Sequence, residues 1–328
     1  MSEPVVVAVD GGGSKTDVVA VAQDGTLLAH ARGPASNPQV EGLDTAVAVV
    51  DALVSEVLAS AGRPVLRTAV YLAGLDLPAE LAAFRGAVDS LPWAVDAIVD
   101  NDMFALLRTG TQEPDAIAVV CGTGINAVGV RADGATARYP ALGAITGDWG
   151  GGSHFGEKAL WHASRAVDGR GPATSFTSAI PLHFGLPDVQ AVYEALHFGR
   201  LPVSALASLA PVVLACADAG DRAAISIVDR QAREIVTMVT TAMDRLGLTG
   251  RGIPVVLGGG VLASGNRGLL DRVDAGILEH DSGARVSVVR ERPIVGATLL
   301  ALEAVGAGEA ALDRARTSVV AELISVDS

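Results

Sequence analysis

Three glycines followed by serine, lysine and threonine lie near the start of the chain, within VVVAVDGGGSKTDVVAVAQDGTLLAHA. Glycines let backbone N–H groups approach an anion closely, and consecutive amides form a concave anion-binding nest. The hydroxyls of Ser14 and Thr16 add hydrogen-bond donors to this turn. The stretch therefore predicts a site for an anion such as a phosphate.

A second glycine turn has the same setting in AIAVVCGTGINAVGVRADGATARY, where Thr123 lies between Gly122 and Gly124. In both stretches an apolar run, a glycine turn, a second apolar run, an Asp-Gly turn and a third run follow one another. The shared pattern indicates duplication of one supersecondary unit, although two unrelated hairpins are the alternative, because Asp-Gly turns are common. One such turn in each of two domains could grip a polyphosphate from opposite sides.

The first turn differs from the two common phosphate loops. A P-loop needs glycine before the Lys-Ser/Thr pair, whereas Ser14 precedes Lys15 here. The dinucleotide fingerprint needs glycine or alanine where Thr16 stands, and both loops lead into a helix. This glycine run instead joins two strand-like runs, so neither loop fits.

A third glycine cluster, Gly258-Gly259-Gly260, follows a buried strand pattern and precedes a helix-like segment. Such a turn suits a flat or phosphate-bearing ligand pressed against the backbone, and a tight connection without a ligand is the alternative. Asp148 precedes a further glycine run, with six glycines within the fourteen residues 143–156. Because glycine is costly in a purely structural loop, a ligand-facing role is favoured there.

Three polar side chains, Asp100, Asn101 and Asp102, lie where a predicted strand meets a predicted helix in AVDAIVDNDMFALLRTG. An isolated aspartate at such a junction is usually a helix cap. However, α/β proteins place their sites at the carboxyl ends of strands, and phosphoryl transfer to an alcohol needs a carboxylate to accept the hydroxyl proton. Asp102 is the candidate general base.

These elements predict an α/β chain of two domains, an N-terminal one over residues 1–117 and a C-terminal one over residues 118–328. The second hairpin would open the C-terminal domain. Residues 172–202 suggest an inserted lobe, and residues 205–246 have helical spacing and predict packed helix.

The composition limits the classes of partner. The formal net charge is 24 − 37 = −13, which argues against nucleic acid or an anionic membrane. Cys121 and Cys216 are the two cysteines, too few for a disulfide scaffold or a cysteine-rich zinc site. The stretch MSEPVVVAVD lacks the features of a signal peptide, and we expect a cytoplasmic protein.

The series DGGGSKT, VDND, CGTGIN, TGDWGGGS and VLGGGVLAS resembles the N-acetylglucosamine kinase family, within the BadF/BadG/BcrA/BcrD ATPases, from residue 5 to about residue 300. The resemblance implies a two-domain actin-like ATPase fold (a duplicated ribonuclease H-like fold) with an interdomain cleft. It also implies that the last helix, about residues 295–328, packs back on the first domain. ATP and Mg²⁺ would be the cofactors, and the 6-hydroxyl of N-acetylglucosamine or a close amino sugar would be phosphorylated.

The resemblance assigns roles position by position. It places Asp102 as the general base and directs Asp10 toward Mg²⁺. Its nucleotide-binding positions are Gly12, Gly13, Ser14, Lys15, Thr16, Gly122, Thr123, Gly124, Gly258, Gly259 and Gly260. Its sugar-binding positions are Asn37, Gly74, Asn126 and Asp148. The expected partners are the amino sugar and a second copy of the chain in a homodimer, with no nucleic acid and no membrane.

One departure concerns the sugar side. The Gly-Asp-Glu-Gly-Ser of the family reads Gly-Asp-Trp-Gly-Gly here, with Trp149 in place of a glutamate. The indole could stack on a sugar face or pack in the core, and both alternatives remain open. The change also leaves open whether an N-acetyl group is required.

Three other functions remain as alternatives. A glucosamine or other hexose kinase would use the same residues. An ATPase that drives a conformational change in a partner would need an iron–sulfur cluster, whereas Cys121 and Cys216 are predicted core residues. A sugar sensor without turnover would lack a base, whereas Asp102 is present.

Overall fold

The computed structural model describes residues 3–94 and 96–326, which form two compact units. The first unit extends to Glu113 and takes in the residues from Val289 onward, and the second is Pro114–Val288. The predicted division near residue 117 thus falls inside the first strand of the second unit. Of the predicted domain ranges, residues 1, 2, 95, 327 and 328 lie outside the described residues.

The described chain contains both strands and helices, with three consecutive strands at the start of each unit. The strands are β1 (Val5–Gly11), β2 (Thr16–Ala22), β3 (Leu27–Gly33), β4 (Val65–Leu72), β5 (Ile98–Asn101), β6 (Ala116–Cys121), β7 (Ile125–Val130), β8 (Thr136–Arg138), β9 (Pro254–Gly258) and β10 (Arg285–Val288). The α-helices are α1 (Pro38–Glu41), α2 (Leu43–Ala61), α3 (Pro78–Val88), α4 (Asp102–Gly110), α5 (Gly151–Val167), α6 (Phe176–Phe184), α7 (Val189–His197), α8 (Ala210–Asp218), α9 (Arg222–Leu246), α10 (Gly260–Ala263), α11 (Arg267–His280), α12 (Pro293–Glu303) and α13 (Glu309–Val326). Short 3-10 helices span Gly143–Thr146 and Val203–Leu209.

The first unit is built on a five-stranded sheet of order β3-β2-β1-β4-β5. β1, β2 and β3 are antiparallel neighbours, whereas β4 and β5 run parallel to β1. The run from Val5 to Val9 is apolar at every position and fully buried, as expected for a strand covered on both faces. The predicted three-stranded meander, with a glycine turn at its first corner and Asp24-Gly25 at its second, is confirmed.

Helices cover both faces of this sheet. α2 and α3 pack on one face, and α4, α12 and α13 pack on the other. α12 approaches α4 closely because Gly296 has no side chain: a Cβ there would overlap the Ala105 carbonyl oxygen. The Gly296 N–H donates to Thr109 Oγ1 over 3.0 Å, which fixes this crossing. The residues from Val289 onward therefore belong to the first unit.

The second unit repeats the topology of the first. Its five-stranded sheet has the order β10-β9-β6-β7-β8, with β6, β7 and β8 antiparallel and β9 and β10 parallel to β6. Each sheet is thus a three-stranded meander extended by two parallel strands on the side of its first strand. The predicted duplication and the α/β fold class are confirmed.

The packed helix predicted for residues 205–246 is confirmed. These residues form a 3-10 helix, α8 and α9. α8 ends at Asp218, and Asp221 then caps α9 by accepting the N–H groups of Ala223 and Ala224 at 2.9 and 3.0 Å. An aspartate in this position favours a new helix start.

Within residues 3–94 and 96–326, no single helix combines the length and the apolar character needed to cross a membrane. The helical segments Val203–Asp218 and Arg222–Leu246, which meet at a bend of 113°, together have the length and apolar composition of a membrane span, and only these two properties support such an assignment.

Candidate active site

One row of paired residues in the first sheet is polar on every strand. The row consists of Arg32, Asp17, Asp10, Tyr71 and Asp100, from β3 across to β5. Residues directly opposite on neighbouring strands share a face, so these side chains form a band on the face that α4 and α12 cover. The band lies near the carboxyl ends of β1, β4 and β5, where parallel α/β sheets bind ligands.

Asp10, predicted to face Mg²⁺, lies at the centre of this band. Burial raises its pKa, the charges of Asp102 and Asp17 raise it further, and Lys15 and the Ile294 N–H lower it. The net result is a pKa well above that of an ordinary aspartate. A divalent cation beside Asp10 would offset the repulsion among these carboxylates.

Asp17 differs from Asp10 because hydrogen-bond and ion-pair partners surround it. His30 Nε2 lies 3.1 Å and Arg32 Nε 2.6 Å from its Oδ1, and Arg292 Nη1 lies 3.7 Å from its Oδ2. Burial raises the pKa of Asp17, but the hydrogen bonds from His30 and Arg32 outweigh it, so the pKa is lowered. Asp17 therefore ionises more readily than an ordinary aspartate, which places a negative charge beside Asp10.

The first glycine turn closes β1 onto β2. The Gly12 N–H donates to the Lys15 carbonyl oxygen over 2.9 Å, and Gly13 and Ser14 form an exposed tip. A Cβ at Gly13 would meet nothing within 4 Å, so packing within the unit does not explain a glycine there. An open tip with accessible backbone N–H groups is what an approaching phosphate requires.

Two residues at the base of this turn have structural roles. Thr16, predicted as a nucleotide ligand, is fully buried, and its hydroxyl donates to the Pro34 carbonyl oxygen over 2.7 Å. It stabilises the turn from within the core, so we do not retain it as a ligand. At Gly11, a Cβ would overlap Ser36 and Leu72, so packing requires glycine.

Asp102 is the first residue of α4, directly after β5. Asn101 caps the helix, because its Oδ1 accepts the Met103 N–H over 3.1 Å. Burial raises the pKa of Asp102 to about 7, and the charge of Asp76 contributes, against the lowering effect of the Met103 and Asp102 N–H groups. A carboxylate with a pKa near neutrality is well matched to accept a proton at neutral pH.

Asp76 is a residue of this site that the sequence analysis did not single out. Asn101 Nδ2 donates to its Oδ1 over 3.1 Å, and Gln39 Nε2 donates to its Oδ2 over 3.2 Å. Asp76 thereby links the segment after β3 to the β5–α4 junction. Its position shortly after β4, in YLAGLD, was the signal available, because the carboxyl ends of parallel strands meet at one edge of a sheet.

Asn37 and Gly74, both predicted sugar ligands, are in contact. Asn37 caps α1 by accepting the Gln39 N–H over 2.9 Å. Gly74 has φ +78°, and a Cβ there would overlap Asn37 Oδ1. Because the Gln39 side chain reaches Asp76, hydrogen bonds and contacts connect these two predicted residues to the surroundings of Asp102.

The second glycine turn is fixed by the start of α5. The Gly122 N–H donates to the Gly124 carbonyl oxygen over 2.9 Å, while Gly122 and Thr123 accept the N–H groups of Gly152 and Ser153 at 2.8 and 3.0 Å. Thr123 and Gly124 are exposed. A Cβ at Gly124 would meet nothing within 4 Å, as at the tip of the first turn.

A cavity of about 340 Å³ adjoins this second turn. Gly122, Thr123 and Gly260 line it together with apolar residues of the segment from the second 3-10 helix to α8. Of the three predicted adenosine glycines, Gly260 lines the cavity, whereas Gly258 is buried in β9. At Gly259, φ is +88° and a Cβ would lie 2.5 Å from the Cys121 carbonyl oxygen, so this glycine shapes the strand-to-helix turn.

Asn126 and Asp148, the other predicted sugar ligands, lie in the second unit. Asn126 is the second residue of β7, and its Oδ1 accepts the Ala127 N–H over 2.7 Å. Asp148 Oδ2 accepts the Thr146 hydroxyl over 2.5 Å, and the Asp148 N–H donates to the Gly143 carbonyl oxygen over 3.0 Å. The predicted sugar ligands are therefore divided between the two units.

Trp149 packs in the core of the second unit with 7% of its surface exposed. The Arg230 guanidinium lies over the indole, 4.3 Å from the ring centre, and the His154 ring lies 5.4 Å away. Of the two alternatives for Trp149, the structure supports packing.

The glycine run after Asp148 was expected to face a ligand, and the glycines of its helical part differ: Gly152 lines the cavity beside the second turn, whereas Gly151 and Gly156 are packing positions. A Cβ at Gly151 would lie 2.5 Å from the carbonyl oxygens of Thr123 and Gly124, and one at Gly156 would overlap the Leu206 carbonyl oxygen. These glycines let α5 approach the second turn and the second 3-10 helix.

Neither cysteine lies at a surface. Cys121 and Cys216 are both buried core residues, and burial raises the pKa of the Cys121 thiol to about 12. Across the part of the chain that the structure describes, no group of three or more His, Cys, Asp or Glu side chains is arranged to hold a metal ion. Both observations count against an iron–sulfur cluster held by these residues.

Comparisons with known proteins agree with this fold. An N-acetyl-D-glucosamine kinase of Dictyostelium discoideum is 26% identical over 317 residues, covering 92% of this chain and 99% of the relative. An N-acetylmuramic acid/N-acetylglucosamine kinase of Clostridium acetobutylicum is 27% identical over 261 residues, covering 78% of this chain and 85% of the relative. A Chromobacterium violaceum structure provisionally described as an N-acetylglucosamine kinase superposes with a TM-score of 0.70 at 24% identity, covering 91% of this chain and 99% of that one.

The sequence pattern of one protein family covers most of the chain. It matches residues 7–301, which include both glycine turns, Asp102 and the strand-to-helix turn at Gly260. The chain therefore belongs to the BadF/BadG/BcrA/BcrD ATPase family.

Proposed function

We propose that this protein is an ATP-dependent kinase that phosphorylates N-acetylglucosamine or a close amino sugar. The kinase names of the two relatives that match over most of their length support this substrate class. The observation that carries the proposal is the environment of Asp102. A carboxylate whose pKa burial raises to about 7 stands at a strand–helix junction, next to a network of amide and carboxylate side chains.

The nucleotide-binding roles follow from the two open glycine turns. Gly12, Gly13, Ser14 and Lys15 would bind phosphate oxygens in the first unit, and Gly122, Thr123 and Gly124 would do so in the second. The cavity beside Gly260 would hold the adenosine. This assignment requires both units to act on the same nucleotide.

Mg²⁺ fits the residues around Asp10. Proteins bind Mg²⁺ through one or two carboxylates together with substrate phosphates and water, so a single protein carboxylate suffices. Asp10 offers such a carboxylate, and a cation beside it would offset its burial and the repulsion from Asp102 and Asp17, which together raise its pKa. When bound, Mg²⁺ would neutralise charge on the phosphates.

The sugar would be bound by Asn37 and Gly74 from the first unit and by Asn126 and Asp148 from the second. Asp102 would accept the proton of the sugar 6-hydroxyl while the oxygen of that hydroxyl forms a bond to the γ-phosphorus of ATP. The bond from that phosphorus to the bridging oxygen breaks, and ADP leaves. Positioning and charge stabilisation, rather than covalent chemistry, supply the rate.

The partners, the location and the oligomeric state of the protein are also part of the proposed function. The net charge of −13 disfavours nucleic acid and anionic membranes as partners. We propose a cytoplasmic homodimer, which size-exclusion chromatography with light scattering would test.

A panel of acceptors tests the function directly. ADP release is measured with ATP and Mg²⁺ alone and after adding N-acetylglucosamine, glucosamine, N-acetylmuramic acid or glucose. We expect N-acetylglucosamine to stimulate ADP release and to yield one sugar phosphate per ADP, with phosphorus coupled to the carbon-6 protons by NMR. ADP release that no sugar stimulates would exclude the kinase and favour the partner-driving ATPase.

A further inference from the structure

The side chains in the walls of the cavity beside the second glycine turn are mostly apolar, and the backbone of Gly122, Gly152 and Gly260 completes the lining. Its walls include Ala207, Ala210, Pro211, Leu214 and Val261. These side chains make dispersion contacts with any planar ring and carry no hydrogen-bonding group. Apolar side chains of this kind therefore contribute shape and dispersion contacts rather than hydrogen bonds.

Two hydroxyl side chains also line the cavity. Thr123 lies on the exposed glycine turn, which the proposed function assigns to phosphate binding. Ser264 donates its hydroxyl proton to the Val261 carbonyl oxygen over 2.6 Å, and its oxygen lies 3.4 Å from the Asn266 N–H. The Ser264 hydroxyl is thus engaged by its own helix end.

The amide side chain that follows is engaged in the same way. Asn266 Nδ2 donates to Asp218 Oδ2 over 2.8 Å, and Asn266 Oδ1 accepts the Leu269 N–H over 2.9 Å as the cap of α11. Its donor and its acceptor both stabilise the fold beside the cavity. Asn266 is also not among the described residues that line the cavity.

We propose, on the basis of the proposed function, that the donor site recognises a purine by shape and does not select among purine bases, so that ITP and GTP serve as phosphoryl donors beside ATP. In each case the γ-phosphorus forms a bond to the acceptor hydroxyl oxygen, and its bond to the nucleoside diphosphate breaks. The hydroxyl proton passes to Asp102.

The expected size of the discrimination follows from the kind of site. An apolar pocket distinguishes related ligands by about 10–200-fold, whereas a site built to hydrogen-bond a particular group rejects its analogue by about 10⁴–10⁵-fold. Pyrimidine bases bury less apolar surface than purines, so CTP and UTP are expected to be poorer donors than either ITP or GTP.

The test is a donor series with the wild-type chain. The sugar phosphate is quantified by mass spectrometry at saturating N-acetylglucosamine, with nucleotides purified free of ATP and with the matching nucleoside diphosphate counted as product. We expect kcat/KM for ITP and GTP to lie within about 100-fold of that for ATP, with CTP and UTP lower. A larger gap between ATP and ITP, or equal rates for CTP and GTP, would overturn the inference.

A binding experiment separates this inference from the proposed function, because it needs no acceptor. Displacement of a ribose-labelled fluorescent ATP by ATP and by GTP at concentrations within about 100-fold supports shape recognition. Displacement by ATP alone overturns it, even if the kinase reaction is confirmed. Absence of sugar phosphate with every donor would instead reject the proposed function and leave the binding result to decide the inference.

Ser264→Ala provides the matched variant. If the Ser264 hydroxyl is engaged by Val261, the ratio of ATP to GTP in kcat/KM stays within about twofold of wild type. A change of that ratio beyond about tenfold, equivalent to about 1.4 kcal/mol, would show that Ser264 reads the base and would overturn the inference.

Discussion

The side-chain amide of Asn101 donates a hydrogen bond to Asp76 Oδ1 over 3.1 Å, and this bond holds a second carboxylate near Asp102. Gln39 holds the other oxygen of Asp76 at 3.2 Å. Two amides from different elements thus fix a negative charge that raises the pKa of Asp102. The relationship links the α1 segment to the candidate base.

Asp76→Asn is expected to shift the pH dependence of sugar phosphorylation. Asp102 must be deprotonated to act, so with a pKa of about 7 activity falls as the pH drops below that value. Removing the charge of Asp76 lowers the pKa of Asp102, so the acid limb of kcat/KM moves to lower pH. Steady-state kinetics from pH 5 to pH 9 measures this limb.

Asp100→Asn is the matched control for that variant. It makes the same aspartate-to-asparagine change on β5, two residues before Asp102. The Asp100 charge is not among the causes of the raised pKa of Asp102. We expect its acid limb to match that of wild type. An unshifted limb in Asp76→Asn would mean that burial alone sets the pKa of Asp102.

Asp102→Asn is expected to lower turnover by roughly two to four orders of magnitude, the usual contribution of a general base. Nucleotide affinity should stay nearly unchanged, because the open glycine turns rather than Asp102 are proposed to bind the phosphates. Single-turnover kinetics and nucleotide titration separate the two quantities. Turnover near the wild-type value would remove Asp102 from the mechanism.

The same substitution is expected to stabilise the folded protein at high pH. Because the folded-state pKa of Asp102 is raised from 3.8 to about 7, wild type loses stability as the pH rises from about 4 to about 7. Asparagine carries no charge, so its advantage over wild type should grow across this window to about 1–3 kcal/mol. Urea unfolding at several pH values, without nucleotide, measures the difference.

Asp89→Asn, at an exposed position at the end of α3, is the control for this stability measurement. Its difference from wild type should vary much less over the same pH range. An Asp102→Asn advantage that is constant with pH would show that packing, and not ionisation, causes it.

Local signals explain which parts of the fold were predictable. The Asp-Gly turns and glycine corners, each read from a few residues, predicted both meanders correctly, and the strand–helix junction at Asp102 followed from the change in periodicity. Thr16 and Asp76 were different, because their environments depend on residues far away in sequence. The Thr16 hydroxyl donates to the Pro34 carbonyl oxygen, and Asn101 and Gln39 hold Asp76 at the site by hydrogen bonds.

The glycines show the same limit. Gly13 and Gly156 are the same residue type in equally glycine-rich stretches, yet one borders open space and the other contacts the Leu206 backbone. Whether a glycine borders open space or packed backbone depends on tertiary packing, since no short-range pattern specifies what lies opposite a glycine. Glycines that border open space and glycines required by packing therefore could not be told apart from the sequence.

Trp149→Phe is expected to change the KM for N-acetylglucosamine by less than about threefold, since the indole packs under Arg230 and is 7% exposed. The indole Nε1 is buried with no hydrogen-bond partner among the described residues, so phenylalanine also removes an unsatisfied donor. Steady-state kinetics checks the first point and urea unfolding the second. A KM increase beyond tenfold at unchanged stability would mean that the indole contacts the sugar.

Gly11→Ala and Gly13→Ala are expected to have opposite effects, although they lie two residues apart in one turn. A Cβ at Gly11 overlaps Ser36 and Leu72, so overpacking should lower the free energy of unfolding by about 1–3 kcal/mol. A Cβ at Gly13 meets nothing within 4 Å, so the free energy of unfolding should be unchanged or rise by up to about 1 kcal/mol.

The methyl group introduced by Gly13→Ala would instead occupy the space proposed for a phosphate. We expect nucleotide affinity to fall at least about tenfold, or ~1.4 kcal/mol. Urea unfolding and nucleotide titration of both variants decide the matter, and wild-type affinity in Gly13→Ala would contradict phosphate binding at this turn.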